Sequence, residues 1–482
     1  MSMRTPSIVA CLVVLGGMSF HCDAHDISEK PNIVYILADD LGYTDLASFG
    51  SQYYETPHLD QMARDGVRMT AAYTCGPNCQ PTRAALMSGQ YGPRTGIYTV
   101  GDIERFNWRS RPLRPVDNVT EMPLDRVLLP KALKSAGYAT GMFGKWHLGD
   151  NGEFHPLKRG FDEGFVTSGR HFDFKTSPPQ DVPQGVYLAD YLTDRAIDFI
   201  QRHKDEPFFL YLPHFGVHSP WQAKPELIAR FKAKPPAGGH HDPEFAAMVY
   251  SVDESVGRIR KLLADLHLAE NTLVIFSSDN GGVGGYTREG INSSHEPTDN
   301  APLRGGKGML YEGGVRVPCV ACWPGVIPSA TESSEPIISV DLYPTLLEVA
   351  GATIPPGITL DGTSYLPILW GKKSRQERRP LYWHFPGYLG SNQDTWRTTP
   401  AGAIRYGDWK LIEFFEDDRR ELYNLRDDLS ETNDLAAKEP ERVKLLLQKL
   451  QAWRNEINAP MPTANENRLP PGVGKKRERG TE

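Results

Sequence analysis

The sequence predicts an α/β protein: a large mixed, mostly parallel sheet sandwiched by helices, followed by a small antiparallel sheet with one helix. Three observations predict it. Short apolar runs alternate with amphipathic helical segments over roughly residues 32–280, the pattern of strand–helix–strand crossovers. Most of those runs are followed by Asp, Asn, Lys or His, which a parallel sheet gathers at the carboxyl ends of its strands. After about Trp370 the texture changes to short strand-like segments separated by turns.

In order along the chain, Asn32–Ala38 reads as a buried strand. Leu59, Met62 and Ala63 share a helical face, with Thr56 as N-cap and Pro57 in the first turn. A helix at 128–135 stops at Gly137, and 138–143 is the next strand. Leu192, Ala196, Phe199 and Ile200 mark a helix before the strand 208–212. Met248, Val252, Val256, Ile259, Leu263 and Leu266 keep a spacing of three to four residues, so a long helix precedes the strand 273–276. A polar, basic connector at 372–379 leads to strands at 381–383, 403–406, 410–414 and 421–425. A helix at 439–458 closes the region, with Val443, Leu446, Leu447 and Leu450 on one face. The domain reading is a signal at 1–24, a catalytic domain at 25–375, a small α+β unit at 376–458 and a disordered tail at 459–482, rich in Pro, Gly and charge.

Of 482 residues, 39% are hydrophobic and 23% charged, an ordinary globular composition with length for a sizeable core. A formal net charge of −7 argues against a nucleic-acid binder, and an anionic ligand would need a local cationic pocket. Arg4, the apolar run 8–20 and Cys22-Asp23-Ala24 read as a secretory signal, so the mature protein is expected to be exported, periplasmic or extracellular. A lipoprotein signal ending at Cys22 is the other reading, which His21 disfavours. No later segment reads as transmembrane. Outside the signal lie Cys75, Cys79, Cys319 and Cys322. They read as disulfides of an oxidising compartment, as packed thiols, or as a zinc site.

The chemistry sits where the strands end. Asp39-Asp40 follow the first strand, and Gly144-Lys145-Trp146-His147 follow the second. His214 and His218 follow the third, and Ser278-Asp279-Asn280-Gly281 the fourth. Singly, each Asp or Asn after a strand reads as a turn or cap residue. Together, Asp39, Asp40, Asp279 and Asn280 bring oxygen ligands to one sheet edge. Three converging carboxylates repel, and a hard divalent cation resolves the repulsion, calcium or magnesium rather than zinc.

Cys79-Gln80-Pro81-Thr82-Arg83 adds a cysteine at a helix N-terminus, where backbone N–H groups and the helix dipole favour an anion. Arg83 is one helical turn on and reaches back to the same place. From the residues alone Cys79 is a reactive thiolate, a disulfide partner of Cys75, or the precursor of something else. The loop from Asn300 through Arg304-Gly305-Gly306-Lys307 to Glu312-Gly313-Gly314 is glycine-rich and basic, which suits a tetrahedral oxyanion.

Cys-x-Pro-x-Arg at Cys79 resembles the core motif of the type I sulfatases, members of the alkaline-phosphatase-like superfamily. The resemblance extends in order through 37–42, 144–149, Val217-His218-Ser219-Pro220, 278–281, 303–307 and Asp341-Leu342-Tyr343-Pro344-Thr345. It implies that a formylglycine-generating maturation enzyme oxidises Cys79. It implies that Arg83 stabilises the product, and that Asp39, Asp40, Asp279 and Asn280 bind Ca2+. Lys145 and Lys307 would hold sulfate oxygens, with His147 and His218 moving protons, His218 as general acid. The implied activity is that of a sulfuric ester hydrolase. It would act through a formylglycine hydrate and a covalent sulfo-enzyme, on sulfated carbohydrate, with aryl sulfates as model substrates. Thr82 and Gln90 depart from the usual Ser and Arg. A phosphodiester or phosphonate hydrolase of the same superfamily is the rival enzyme, and an inactive glycan-binding homologue the rival from another class. Some of Arg170, His171, Asp173, Lys175, Trp221, His295, Trp396 and Arg397 are expected to contact a sugar. Asn118-Val119-Thr120 and Asn292-Ser293-Ser294 are glycan acceptors only in a eukaryote.

Overall fold

The apolar runs become the strands of one nine-stranded sheet in the computed structural model, which describes residues 30–291, 293, 295–372, 379–390 and 396–470. The signal, Asn292 and Ser294, 373–378 of the connector and 471–482 of the tail lie outside the described residues. In chain order the first unit contains β1 (Asn32–Ala38), α1 (Pro57–Asp65), β2 (Val67–Tyr73), α2 (Cys79–Ser88) and α3 (Leu129–Ser135). There follow β3 (Ala139–Gly144), β4 (Glu163–Val166), α4 (Leu188–Arg202), β5 (Phe208–Pro213) and α5 (Pro243–Asp265). β6 (Thr272–Ser278), β7 (Arg316–Cys322) and α6 (Leu342–Val349) complete it.

Across the sheet the order is β2, β7, β6, β1, β5, β3, β4, with Thr331–Ser333 and Ile337–Ile338 pairing beside β2. Central β1 runs parallel to β5 and β6, with Ile36 opposite Leu212 and Phe276. β7 runs antiparallel to both β6 and β2, so this one reversed strand makes the sheet mixed.

Strand alternation sends side chains to two faces. Val34, Ile36, Leu210, Leu212 and Phe276 meet α1, α4 and α5 on one side. Ile33, Tyr35, Phe209, Tyr211 and Ile275 meet α2, α3 and α6 on the other. The 23 residues of α5 start at Pro243, with the Asp242 carboxylate accepting from Phe245 N at 2.9 Å, and bury Met248, Val252, Val256, Ile259 and Leu263.

The C-terminal unit is a four-stranded antiparallel sheet, β8 (Leu381–Phe385), β9 (Ala401–Tyr406), β10 (Trp409–Phe414) and β11 (Arg420–Asn424), backed by α7 (Pro440–Glu456) through Leu446, Leu450 and Trp453. It packs on β2 and α2, sharing a core with Ala71, Tyr73 and Ala85, and Trp383 Nε1 donates to Thr74 O at 2.7 Å.

Several expectations change. Residues 459–470, expected to be disordered, run back along the first unit, and Thr463–Ala464 pair with Leu113–Arg114. All four described cysteines are free and buried, so neither disulfide reading holds, and no zinc cluster unites them. The Asn118 amide is committed to the turn it closes, accepting from Tyr98 N and donating to Thr99 O and Gly101 O. Among the described residues no helix is long and apolar enough to cross a membrane.

Candidate active site

Backbone hydrogen bonds continue the sheet past its last paired residues and gather the strand ends. His214 N donates to Leu37 O, Asp39 N to Gly216 O, Asp279 N to Ala38 O and Lys145 N to Pro213 O, at 2.8–3.1 Å. Four distant segments thereby meet at one edge. Asp40 and His147 both adopt φ 64°, a left-handed conformation that non-glycine residues hold only where the surroundings impose it.

Arg83 is fully buried and organises the carboxylates. Its Nε and Nη2 donate to Asp279 Oδ2 at 2.9 and 2.7 Å, Nη1 donates to Lys145 O at 2.6 Å, and Asp39 Oδ2 lies 3.4 Å from Nη2. Lys145 Nζ is 2.5 Å from Asp39 Oδ2, and Lys307 Nζ is 2.6 Å from Asp40 Oδ1. Asn280 Nδ2 donates to Asp40 Oδ1 at 2.8 Å. The expected repulsion among Asp39, Asp40 and Asp279 is therefore answered in part by three side-chain cations, a compensation that spacing along the chain did not reveal. Burial alone would raise the pKa of Asp40; Lys307, His218 and Lys145 outweigh it and hold the carboxyl well below the usual range. Asp279 is pushed the other way, by burial first and then by the charge of Asp39.

Cys79 opens α2, next to the N-cap Asn78. Its Sγ, one ligand atom each of Asp39 and Asp40, and a ring nitrogen of His218 lie within 4.8 Å of one another. Burial pushes the thiol up to about 11 against the pull of Lys145 and Lys307, so the unmodified side chain is no thiolate at neutral pH and the reactive-thiolate reading loses its footing. Two buried oxygens in this cluster, Asp39 Oδ1 and Asn280 Oδ1, have no hydrogen-bond partner. Orphaned buried oxygens beside acidic groups are the donors a hard cation takes, so these residues fit a divalent ion.

Both expected histidines are here. His218 Nε2 lies 3.8 Å from Asp40 Oδ2, its Nδ1 is 2.6 Å from Ser219 O, and burial lowers its pKa to about 3. His147 is held well below its ordinary value by burial and then by Lys145, and its Nδ1 has no partner. His214 is not at the site: it is wholly buried, with Nε2 3.0 Å from Ser255 Oγ.

Asp40, Cys79, His147, His218 and Lys307 line a cavity of about 430 Å³, together with Trp221, His295 and Arg397 of the expected sugar contacts. Arg170, Asp173, Lys175 and Trp396 do not line it. His171 is buried behind it, its Nε2 2.8 Å from the His218 carbonyl and its ring stacked on Phe215. Arg105, Phe106 and Leu389 also line the cavity. They lie in segments with no motif, and only the fold brings them here. Asn300, noted only as part of a loop, proves to be its clamp: Nδ2 donates to the carbonyls of Gly282, Gly284 and Gly305, each at 3.1 Å.

Comparison with known proteins agrees with this geometry. A family model described as Sulfatase matches residues 31–352, and one described as N-sulphoglucosamine sulphohydrolase, C-terminal, matches 306–456. A sulfatase of Formosa agariphila is 36% identical over 90% of each chain. The N-acetylgalactosamine-6-sulfatase of Homo sapiens is 35% identical over 74% of this chain and 68% of its own. The solved structure of Ps i-CgsB in complex with k-i-k-neocarrahexaose superposes with a TM-score of 0.74 at 29% identity, covering 92% of this chain and 94% of that one. The strand ends that collect Asp39, Asp279, Lys145 and His218, and the helix that presents Cys79, all fall within the matched span, and the chain belongs to the sulfatase family of sulfuric ester hydrolases.

Proposed function

We propose that this sulfatase removes sulfate from a sulfated carbohydrate outside the cytoplasm, using a formylglycine made from Cys79 and one Ca2+ held by Asp39, Asp40, Asp279 and Asn280. The observation that carries this reading is the position of Cys79 Sγ. It stands in for the hydrated aldehyde and lies within 4.8 Å of ligand atoms of Asp39, Asp40 and His218. Formylglycine supplies a nucleophile that no encoded side chain offers, and Ca2+ supplies positive charge at the sulfate oxygens.

The residues of the chain do the rest. Asp39, Asp40 and Asp279 are balanced by Arg83, Lys145 and Lys307, so a bound divalent ion leaves the pocket net positive and attractive to a sulfate ester. Lys145 and Lys307 bind nonbridging oxygens and stabilise their charge in the transition state. His218 is neutral at pH 7 with the cleft empty. An anionic ester beside it raises its proton affinity, and His218 is the residue placed to give a proton to the departing alcohol. His147, kept neutral by burial and by Lys145, accepts the proton given up at residue 79 when sulfate leaves.

The substrate class is supported by the relatives, one named for N-acetylgalactosamine-6-sulfate chemistry and one solved with a neocarrahexaose. The signal-like segment 1–24 supports export, and a formylglycine-generating enzyme is the implied partner in maturation. The test is production with such an enzyme, mass spectrometry of the peptide containing residue 79, and rates on aryl sulfate and aryl phosphate. An aldehyde at residue 79, a preference for the sulfate, and loss of roughly 10³-fold or more in Cys79→Ala are expected. Full activity in Cys79→Ala refutes the reading.

A further inference from the structure

We propose that Arg397 binds a second anionic group of the substrate, a carboxylate or another sulfate on the same or the adjoining sugar, and so makes the enzyme prefer multiply charged carbohydrate. This rests on the carbohydrate reading above. Arg397 belongs to the C-terminal unit, where Trp396–Thr398 pair with Leu389–Gly390, and it lines the cavity that holds Cys79, His218 and Lys307. Its guanidinium lies over the ring of Tyr286, 4.2 Å from the centroid, and the Tyr286 hydroxyl donates to Lys307 O at 2.9 Å. At Gly308, where φ is +95°, a Cβ would come within 3.1 Å of Arg397 Cδ and 2.6 Å of Leu389 Cδ2. The arginine stem is thus packed against the loop that carries Lys307.

Among the described residues no carboxylate answers the charge at the end of that stem. Arg83, Arg316 and Arg454 each meet a carboxylate inside the fold. Among the described residues the Arg397 guanidinium meets the Tyr286 ring, and its Nε is buried without a hydrogen-bond partner. Of the other cations that line the cavity, Lys307 is committed to Asp40 at 2.6 Å. A guanidinium stacked on an aromatic face keeps its N–H edge free for a planar or tetrahedral oxyanion, which it takes in bidentate fashion. Trp221 and His295 pack together in the same cavity, ring centroids 4.4 Å apart, and offer an aromatic wall to a sugar face. At about 430 Å³ the cavity has room for more than the ester being cleaved.

The experiment compares wild type, Arg397→Ala and Arg397→Lys, all matured at residue 79. The substrates are an aryl sulfate, a monosulfated neutral disaccharide, the same disaccharide with a second sulfate, and one with a uronate. The readout is the ratio of kcat/KM for doubly charged over singly charged sugars. Wild type is expected to favour the doubly charged sugars, Arg397→Ala to lower that ratio roughly tenfold or more, chiefly through KM, and Arg397→Lys to retain part of it. The arm that shows the fall, sulfate or uronate, identifies the anion. Arg397→Gln, which keeps the stem on Gly308, serves if Arg397→Ala does not fold. A wild type without preference, or a variant that loses all substrates by one factor, overturns the proposal. Turnover of aryl sulfate with no sugar accepted overturns the carbohydrate reading beneath it.

Discussion

Arg83 and its partners Asp39 and Asp279 have no exposed side-chain surface. Lys145 still answers Asp39 when Arg83 is removed, but Asp279 loses both of its charged hydrogen bonds. Breaking a buried pair from one side leaves an uncompensated charge and costs roughly 3–5 kcal/mol. Arg83→Ala should therefore lose about that much stability in denaturant titration, with calcium returning part of it, because a divalent ion at the proposed ligands compensates the same carboxylates. An unchanged midpoint contradicts this account. At this scale the sequence was informative about which residues meet and silent about how. One helical turn correctly brings Arg83 to the neighbourhood of Cys79, yet its hydrogen bonds go to Asp279 and to the carbonyl of Lys145, far away in the chain. Spacing along a helix carries no information about partners delivered by other strands.

The loop between β6 and β7 shows the same limit for whole elements. Its glycines were legible as a basic, close-approach loop, and the packing explains them: a Cβ at Gly281 would lie 1.8 Å from Gly313 O, and one at Gly314 would lie 2.1 Å from Met309 O. What holds the loop was not legible, because Asn300 looks like any turn asparagine until its amide is seen on three carbonyls, with Lys307 N donating to one of them, Gly282 O, at 3.0 Å. Asn300→Ala should lower stability by about 1–3 kcal/mol. It should also lower kcat/KM on aryl sulfate roughly ten- to hundredfold, since Lys307 loses its fixed position. Activity measured well below the melting transition separates the two effects, and full activity there removes Asn300 from any positioning role. The regular elements were easier. Periodic stretches such as α5, and apolar runs such as β1, β5 and β6, declare themselves through burial. β2 does not, because Arg68 and Thr70 interrupt its apolar pattern, and its identity comes from pairing with β7.

The two units of the molecule are joined by buried charge and by the end of the chain. Lys410 is fully buried, 2.8 Å from Glu312 and 2.9 Å from Glu431, and Lys410→Ala should cost roughly 3–5 kcal/mol, read as a lowered melting temperature. A second tie is titratable. His384 in β8 is buried among Tyr98 of the first unit, Phe415, and Pro460, whose carbonyl is 2.8 Å from Nε2. Burial, then the charge of Arg454, lowers its pKa to about 3, against an ordinary value of 6.5, while the hydrogen bond to Pro460 only partly opposes them. The folded protein therefore declines a proton that the unfolded chain accepts below pH 6.5. Stability contributed by the neutral ring is intact above that pH and is lost as the pH falls below it, at about 1.4 kcal/mol per unit until the folded value is reached. His384→Gln keeps a donor for Pro460 and removes the titration. Between pH 6.5 and 5 the parent should lose about 2 kcal/mol relative to this variant, and a stability difference that stays constant across that range shows that His384 titrates alike in both states.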